Sequence, residues 1–318
     1  MGTGMKEAEI YDVIIIGGGP AGLTAATYLG RKALNALIIT KNIGGQALLS
    51  IGIENYMGYQ FVGGQELMNK FEEQVRQYNV KTVYSEVTKV YMESDCFVAL
   101  AADADRFYGK TVIIATGKRS RTLNARGIDS YVGRGVSYCA TCDGPLFVDV
   151  DVAVIGGGNS AITTGIELQN IARKVYMINR SPWRADEIYT EKLRDAPNIE
   201  VLIGYELVEV IGKDVVNAAV IQNISDHSLR TVPLSGIFIE IGLIPNSDLV
   251  KDFVALNQDG EIIVGCDCST NVPGVYGAGD VTSVPEKQII VAAGEGAKAA
   301  ISAYKYLLKG GRQVITGY

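Results

Sequence analysis

The segment of this chain best equipped for chemistry is Cys139-Ala140-Thr141-Cys142-Asp143. Two thiols separated by two residues can close a disulfide and reopen it, and the thiolate is the nucleophile in that exchange. On one helical turn the first sulfur can face outward while the second faces a bound group. The carboxyl group of Asp143 follows directly and can move protons as thiolates form and leave. The chain has one histidine, His227, in the polar stretch Ser225-Asp226-His227-Ser228, which reads as a surface turn. Asp143 is therefore the leading candidate for proton transfer.

Five cysteines in 318 residues do not make a disulfide scaffold, so the close pair reads as catalytic or metal-binding. A zinc site would need Cys266 and Cys268 as its second knuckle. They have one residue between them, whereas zinc ribbons use roughly two to four. No metal is expected. Cys266 and Cys268 read as strand residues before a turn, and Cys96 as a small buried apolar residue.

Two glycine patterns flank the dithiol. Gly17-x-Gly19-x-x-Gly22 follows the apolar run Tyr11 to Ile16 and opens a helix from Pro20 to about Arg31. In that context the first glycine permits a tight turn, the second lets a pyrophosphate approach the backbone, and the third lets helix and strand pack closely. The helix N-terminus offers unpaired N–H groups to the phosphates. The acidic residue expected about 20 residues on is missing; Thr40-Lys41-Asn42 stands there, so another group must hold that ribose. The second pattern, Gly156-x-Gly158-x-x-Ala161, follows Asp151 to Ile155 and opens a helix reaching about Asn170. The strand Lys174 to Asn179 is then followed by Arg180 and, close by, Arg184. Arginines here accommodate a 2′-phosphate and favour NADPH over NADH. Two nucleotide sites supply a route for electrons, and the thiols between them supply a destination. The combination reads as a flavin-dependent disulfide reductase.

The elements around these motifs repeat one plan. The first copy continues with strand Ala36 to Thr40, helix Gln65 to Tyr78, and strands Thr82 to Met92, Cys96 to Ala101 and Phe107 to Ala115. The second continues with strands at about Glu200 to Ile211, Val215 to Ile224 and Leu229 to Ile241. Each copy is a βαβ unit plus a meander. After Pro245-Asn246-Ser247 come a short strand Gly274 to Tyr276, the turn Gly277-Ala278-Gly279-Asp280, and a long helix Gln288 to Leu308. Its Ile289, Ala293, Ala297, Ile301, Tyr304 and Leu308 share one face. The expected fold is α/β, with two Rossmann-like nucleotide-binding domains, each a parallel sheet with an inserted antiparallel β-meander.

Composition agrees with a globular enzyme: 47% apolar, 20% charged, net charge −6. The acidic balance argues against nucleic acid. No apolar run reaches the roughly 18 residues of a membrane span. Met1 to Glu9 lacks the apolar core of a leader peptide, and Lys6 stands where a myristoylation motif needs Ser or Thr, so a cytoplasmic location is expected.

Together these residues resemble the low-molecular-weight thioredoxin reductase family, from Tyr11 to Leu308. The resemblance implies an FAD-binding domain at residues 1–119 and 249–318, and an NAD(P)-binding domain at 120–248 carrying the dithiol. Hinges are implied near Gly117 to Thr122 and Pro245 to Leu249, between two alternating domain orientations. For FAD it implies Gly17, Gly19, Pro20, Ala21, Gly22, Thr40, Gly44, Gly45, Gln46, Asn55, Val87, Gly117, Gly279, Asp280, Lys287, Gln288 and Ile289. Within that set Gly44-Gly45-Gln46 and Glu54-Asn55-Tyr56 resemble segments lining the flavin, Ala115-Thr116-Gly117 an exit strand, and Gly279-Asp280 the motif whose carboxylate holds the ribitol. Lys287-Gln288-Ile289 resembles the segment touching the isoalloxazine, with the long helix pointing its positive end at the ring. For NADPH it implies Gly156, Gly158, Asn159, Ser160, Asn179, Arg180, Arg184 and Gly242.

By the same resemblance Cys142 reacts with the flavin and Cys139 exchanges with a protein disulfide, in thioredoxin or a glutaredoxin-like protein, and the chain forms a homodimer. The family's usual His-Arg-Arg loop is only partly matched by Asn179-Arg180-Ser181-Pro182-Trp183-Arg184. The flavoprotein component of alkyl hydroperoxide reductase has a similar core, closest at Val284 to Ile290 and Gly294 to Lys298. That component carries extra N-terminal thioredoxin-like domains, which are not expected for this protein. Other readings stay open: NADH, a reduced deazaflavin or ferredoxin as donor, a dithiol oxidase passing electrons to oxygen, or a non-catalytic nucleotide-binding redox sensor.

Overall fold

The computed structural model describes residues 9–50, 52–121, 123–194 and 196–310. Thr122, at the expected hinge, and residues 1–8 of the segment read for a leader lie outside the described residues. In chain order the elements are β1 (Ile10–Gly18), α1 (Pro20–Gly30), β2 (Ala36–Ile43), α2 (Gly64–Arg76), β3 (Lys81–Tyr84), β4 (Val87–Glu93), β5 (Cys96–Ala101), β6 (Arg106–Ile114), β7 (Lys118–Ser120), β8 (Val136–Ser137), α3 (Ala140–Asp143), β9 (Asp151–Ile155), α4 (Asn159–Leu168), β10 (Lys174–Asn179), α5 (Glu187–Arg194), β11 (Ile199–Ile203), β12 (Tyr205–Gly212), β13 (Val216–Asn223), β14 (Leu229–Pro233), β15 (Gly236–Ile239), β16 (Leu243–Pro245), β17 (Val275–Gly277) and α6 (Ile289–Leu308).

The packing divides the chain into two units. The first takes in the described parts of Met1–Leu48, Gln65–Arg119 and Ile244–Tyr318; the second those of Leu49–Gly64 and Ser120–Leu243. The second boundary thus falls five residues before the expected 248/249, and residues 49–64 group with the second unit.

In the first unit the sheet runs β3-β2-β1-β6-β5-β4, with β17 also on β6. Strands β3, β2, β1, β6 and β17 are parallel, while β5 and β4 run antiparallel. Val13 to Ile16 and Ala36 to Ile39 are buried throughout. Apolar residues on both faces are what a parallel strand covered on both sides requires. The first meander is therefore an extension of the parallel sheet rather than a separate insert. In the second unit the parallel sheet runs β11-β10-β9-β15-β8, and β12-β13-β14 form their own antiparallel sheet.

Three expected strands are broken. Thr82 to Met92 divides at Ser85-Glu86: β3 pairs with β2 and β4 with β5. Glu200 to Ile211 divides at Gly204, whose φ of +83° turns the chain from one sheet to the other. Leu229 to Ile241 divides at Leu234-Ser235, separating meander strand β14 from parallel strand β15. Helix α5 was not expected at all.

The buried face of α6 shares only Ala293 with the stripe Ile289, Ala293, Ala297, Ile301, Tyr304 and Leu308. Ala292, Ala293, Glu295, Gly296, Ala299, Ala300 and Ala303 are buried, and Leu308 is exposed. The reason is close approach to α1. A Cβ on Gly296 would collide with the carbonyl of Ala21, so small residues line most of the seam, while Ile289, Ile301 and Tyr304 are only half-buried.

Cys266 and Cys268 lie in a turn, not a strand; Cys268 is buried with φ +65°. Cys96 is half-buried at the start of β5, not a core residue. His227 is exposed, with φ +59°, in a turn. Among the described residues no helix is long and apolar enough to cross a membrane.

Candidate active site

Cys139 and Cys142 are joined as a disulfide, with Cα atoms 5.3 Å apart. Cys139 is the N-cap of the single-turn helix α3 rather than a member of it. The extended backbone of an N-cap lets its side chain fold over the following turn, and the backbone N–H of Cys142 donates to Cys139 Sγ at 3.2 Å. A donor aimed at that sulfur favours its thiolate once the disulfide opens. Both cysteines are half-buried.

Asp143 closes the turn, its N–H donating to the Cys139 carbonyl at 3.0 Å. Its side chain is 3% exposed. Oδ2 accepts the Ser137 hydroxyl at 2.6 Å, and Oδ1 has no partner among the described residues. Burial, opposed by the Ser137 hydrogen bond, holds this carboxyl above the usual carboxylate range. The Ser137 oxygen in turn accepts the N–H of Cys139 at 3.1 Å. Sequence reading missed Ser137; its place at the end of β8 becomes meaningful only once α3 folds back beside it.

The second glycine pattern lies in the same unit. Gly158 caps α4 with no side-chain hydrogen bond to the first turn, and a Cβ there would meet open space. The Asn179 side chain lies against Gly157, and the Arg184 N–H donates to the Gly157 carbonyl at 2.8 Å. Asn159 and Asp186 exchange two hydrogen bonds, at 2.8 and 3.0 Å. The loop after β10 is thereby drawn over the turn, bringing Arg180 and Arg184 with it. Both arginines are exposed, and neither has an ion pair among the described residues. Gly242, φ +98°, lies beside Arg121. Ser160 donates its hydroxyl to Glu240, a carboxyl that burial pushes upward against the hydrogen bonds of Ser160 and Thr164. Glu240 is a second residue that sequence reading missed.

In the first unit Gly17, with φ +115°, sits so close to the Ala115 carbonyl that any side chain would collide. Gly19 caps α1, again with no side-chain cap and open space where a Cβ would be. Pro20 is in the first turn, and Ala21 and Gly22 pack beneath. Gly44 donates to the Gly18 carbonyl at 2.8 Å, Gly45 packs on Gly19, and Gln46 donates to the Lys118 carbonyl at 2.5 Å. Gly117 adjoins that carbonyl. Gly279, φ +78°, packs on Ala21, placing Asp280 next to the α1 turn. Burial raises the Asp280 carboxyl, while Lys287 and Lys118 oppose the rise. Lys118 and Lys287 converge on Glu261 at 2.7 and 3.1 Å. Lys118 and Glu261 were not singled out from the sequence. Gln288 caps α6 and Ile289 opens it. Thr40 is buried and spends its hydroxyl proton on the Asn42 carbonyl at 2.7 Å, leaving only acceptor capacity for a ribose. Val87 begins β4, just after Ser85, whose N–H donates to the Thr40 carbonyl. Asn55 lies in residues 49–64, which group with the second unit.

Both turns thus fit a dinucleotide: uncapped first turns, a glycine with open space above it, and carboxyl groups raised by burial nearby.

The sequence model of the pyridine nucleotide-disulphide oxidoreductase family matches residues 11–296. The chain is 42% identical over 306 residues to an alkyl hydroperoxide reductase component of Pseudomonas putida, covering 95% of this chain and 59% of that protein. It is 36% identical over 315 residues to a protein named NADH dehydrogenase from Ferdinandcohnia aciditolerans, covering 97% of this chain and 61% of the relative. The chain therefore spans about three fifths of the length of these curated relatives. Among solved structures, thioredoxin reductase from Streptococcus pyogenes superposes with a TM-score of 0.91 at 37% identity, over 95% of this chain and 100% of that one. The family and this neighbour imply FAD and a pyridine nucleotide, which the two turns accommodate. The chain belongs to the pyridine nucleotide-disulphide oxidoreductase family, in the low-molecular-weight class that includes the thioredoxin reductases.

Proposed function

We propose that this chain is an NADPH-dependent reductase of a protein disulfide, with electrons passing from NADPH through FAD to Cys139–Cys142 and on to a thioredoxin or glutaredoxin-like partner. The observation that carries the reading is the disulfide with its buried acid, Asp143, one residue beyond Cys142 and in the same unit as a dinucleotide turn. FAD, when bound, supplies the two-electron relay between nicotinamide and disulfide.

The protein's own residues do the rest. Opening the Cys139–Cys142 bond takes two electrons and leaves two sulfurs sharing the incoming protons. Cys139, with the Cys142 N–H aimed at it, is the better-stabilised thiolate and attacks the partner's disulfide. One partner sulfur leaves as a thiol and a mixed disulfide forms. Cys142 then attacks Cys139, releasing the second partner sulfur and restoring the intramolecular bond. Asp143, whose Oδ1 is uncommitted, holds the proton that the leaving sulfur takes up and recovers it from the thiol that ionises next.

The exposed Arg180 and Arg184 on the loop over Gly157 favour a 2′-phosphate. The same loop carries the Asp186 carboxylate, which acts against one, and a relative is named NADH dehydrogenase. NADH is therefore the second reading for the donor. Relatives named as a component of alkyl hydroperoxide reductase make a peroxide-reducing chain the second reading for the partner. Turnover assays crossing NADPH and NADH with thioredoxin, glutaredoxin and a peroxide-reducing partner test these choices. Fastest turnover with NADPH and thioredoxin or glutaredoxin supports the first reading. Turnover with none of the disulfide partners, under either donor, contradicts it.

A further inference from the structure

Glu295 is a carboxyl group where helix packing would ordinarily forbid one. It lies on the small-residue face of α6, is 3% exposed, and is followed by Gly296, which presses on the Ala21 carbonyl in the first turn of α1. Its Oε2 accepts the N–H of Gly279 at 2.7 Å and the Thr282 hydroxyl at 3.3 Å. The Thr282 hydroxyl also lies 2.8 Å from the Gly279 carbonyl. One carboxyl oxygen thus ties together both ends of the turn that carries Asp280. The other oxygen, Oε1, has no partner among the described residues. A buried polar group costs stability unless it is hydrogen-bonded, so the unpartnered oxygen is a cost that a role in the site would explain.

We propose that Glu295 is a flavin-positioning residue: its carboxyl group fastens the Gly279–Thr282 turn to α6 and so sets where Asp280 meets the bound FAD. The inference rests on the proposed FAD reading and deepens it. Glu295 touches no reacting atom and acts through the turn.

The charge state follows from the surroundings. Among the described residues no cation pairs with Glu295. Lys287 is committed to Glu261 and the Thr282 carbonyl, and Lys298, exposed, to the Cys266 carbonyl. On the side facing the 266–268 turn, the Cys268 thiol donates to the Glu295 backbone carbonyl and is itself pushed up to about 12 by burial. Asp280 is the other acid on the turn. Burial, opposed by the Gly279 hydrogen bond, Lys298, Thr282 and Lys287, holds the Glu295 carboxyl above its usual range. Burial therefore favours the neutral acid over the carboxylate at this position. Ionising it beside the phosphates of a bound dinucleotide is less favourable still, so FAD binding must weaken as pH rises through its titration.

The test uses the full chain loaded with FAD and follows flavin release by fluorescence after dilution, from about pH 6 to about pH 9. Wild type should release FAD at least about tenfold faster at the alkaline end, the change expected for about one unit of linked pKa shift. Glu295→Gln keeps an oxygen for Gly279 and Thr282 and cannot ionise. It should release FAD within about threefold of the wild-type rate at pH 6 and lose the alkaline acceleration. Glu295→Leu, of similar size, should release FAD at least about tenfold faster throughout. The melting temperature of the FAD-free protein separates a fold defect from a flavin effect, because Glu295→Gln should leave it unchanged. Identical pH profiles for wild type and Glu295→Gln overturn the proposal, as does slow release from Glu295→Leu. A wild-type chain that takes up no FAD overturns the flavin reading itself; one that binds FAD indifferently to Glu295 overturns only this inference.

Discussion

The Ser137 hydroxyl stands between the dithiol and its acid, donating to Asp143 Oδ2 at 2.6 Å and accepting the Cys139 N–H at 3.1 Å. Removing it by Ser137→Ala takes away the interaction that opposes the burial of Asp143. The carboxyl should then move further up, and the alkaline limb of the thiol-exchange pH profile should move to higher pH. The exchange rate itself should fall about three- to tenfold, the worth of one hydrogen bond. Stopped-flow exchange with a partner disulfide at several pH values measures both; an unmoved alkaline limb would mean that Ser137 does not tune Asp143.

Asp143→Asn should slow exchange on the order of a hundredfold and slow reduction of the flavin by the nicotinamide much less. In wild type the neutral acid is the useful form. Because the carboxyl sits above its usual range, exchange should hold at low pH and decline as pH rises through that raised value. Equal slowing of both half-reactions would count against the assignment.

The two cysteines should separate spectroscopically. Cys139→Ser leaves Cys142, the thiol assigned to the flavin, and should show a long-wavelength thiolate–flavin absorbance. Cys142→Ser should not. The reverse pattern exchanges their roles.

Arg180→Glu should weaken NADPH relative to NADH by about tenfold or more, equivalent to about 1.4 kcal/mol, in fluorescence titrations. An unchanged ratio would show that Arg180 does not meet a 2′-phosphate and would strengthen the case for NADH.

Gly296→Ala should destabilise the first unit by about 1–3 kcal/mol, because the added Cβ lands on the Ala21 carbonyl and α6 must retreat from α1. Thermal unfolding of the FAD-free protein reads this directly. An unchanged midpoint would mean that the α1–α6 seam is looser than described.

How far the sequence carried depended on how local each feature was. Val13 to Ile16 and Asp151 to Ile155 announce buried strands because both faces are covered, and each leads straight into its glycine turn. The breaks at Ser85-Glu86 and Leu234-Ser235 were missed because a strand's partner is not written in its own residues: β3 pairs with β2 and β4 with β5, while β14 pairs with β13 and β15 with β9 and β8. The buried face of α6 is not the stripe of its larger apolar residues, although apolar size is the usual sign of burial. At a seam as close as Gly296 on Ala21, burial selects for smallness instead. Glu240, Glu261 and Glu295 acquire their meaning from neighbours distant in sequence, and Ser137 from the way the short turn after it folds back. For Glu295 there was also a local sign: a lone acid, flanked by glycines, in the alanine-rich first half of α6.

The most direct test of the central claim is an anaerobic titration of oxidised, FAD-loaded protein with NADPH, reading flavin absorbance and counting thiols together. The account predicts about two equivalents of reductant per flavin, one for the disulfide and one for the flavin, with two new thiols at Cys139 and Cys142. Bleaching complete at about one equivalent with no new thiols would contradict it, because electrons would then reach the flavin and never the disulfide.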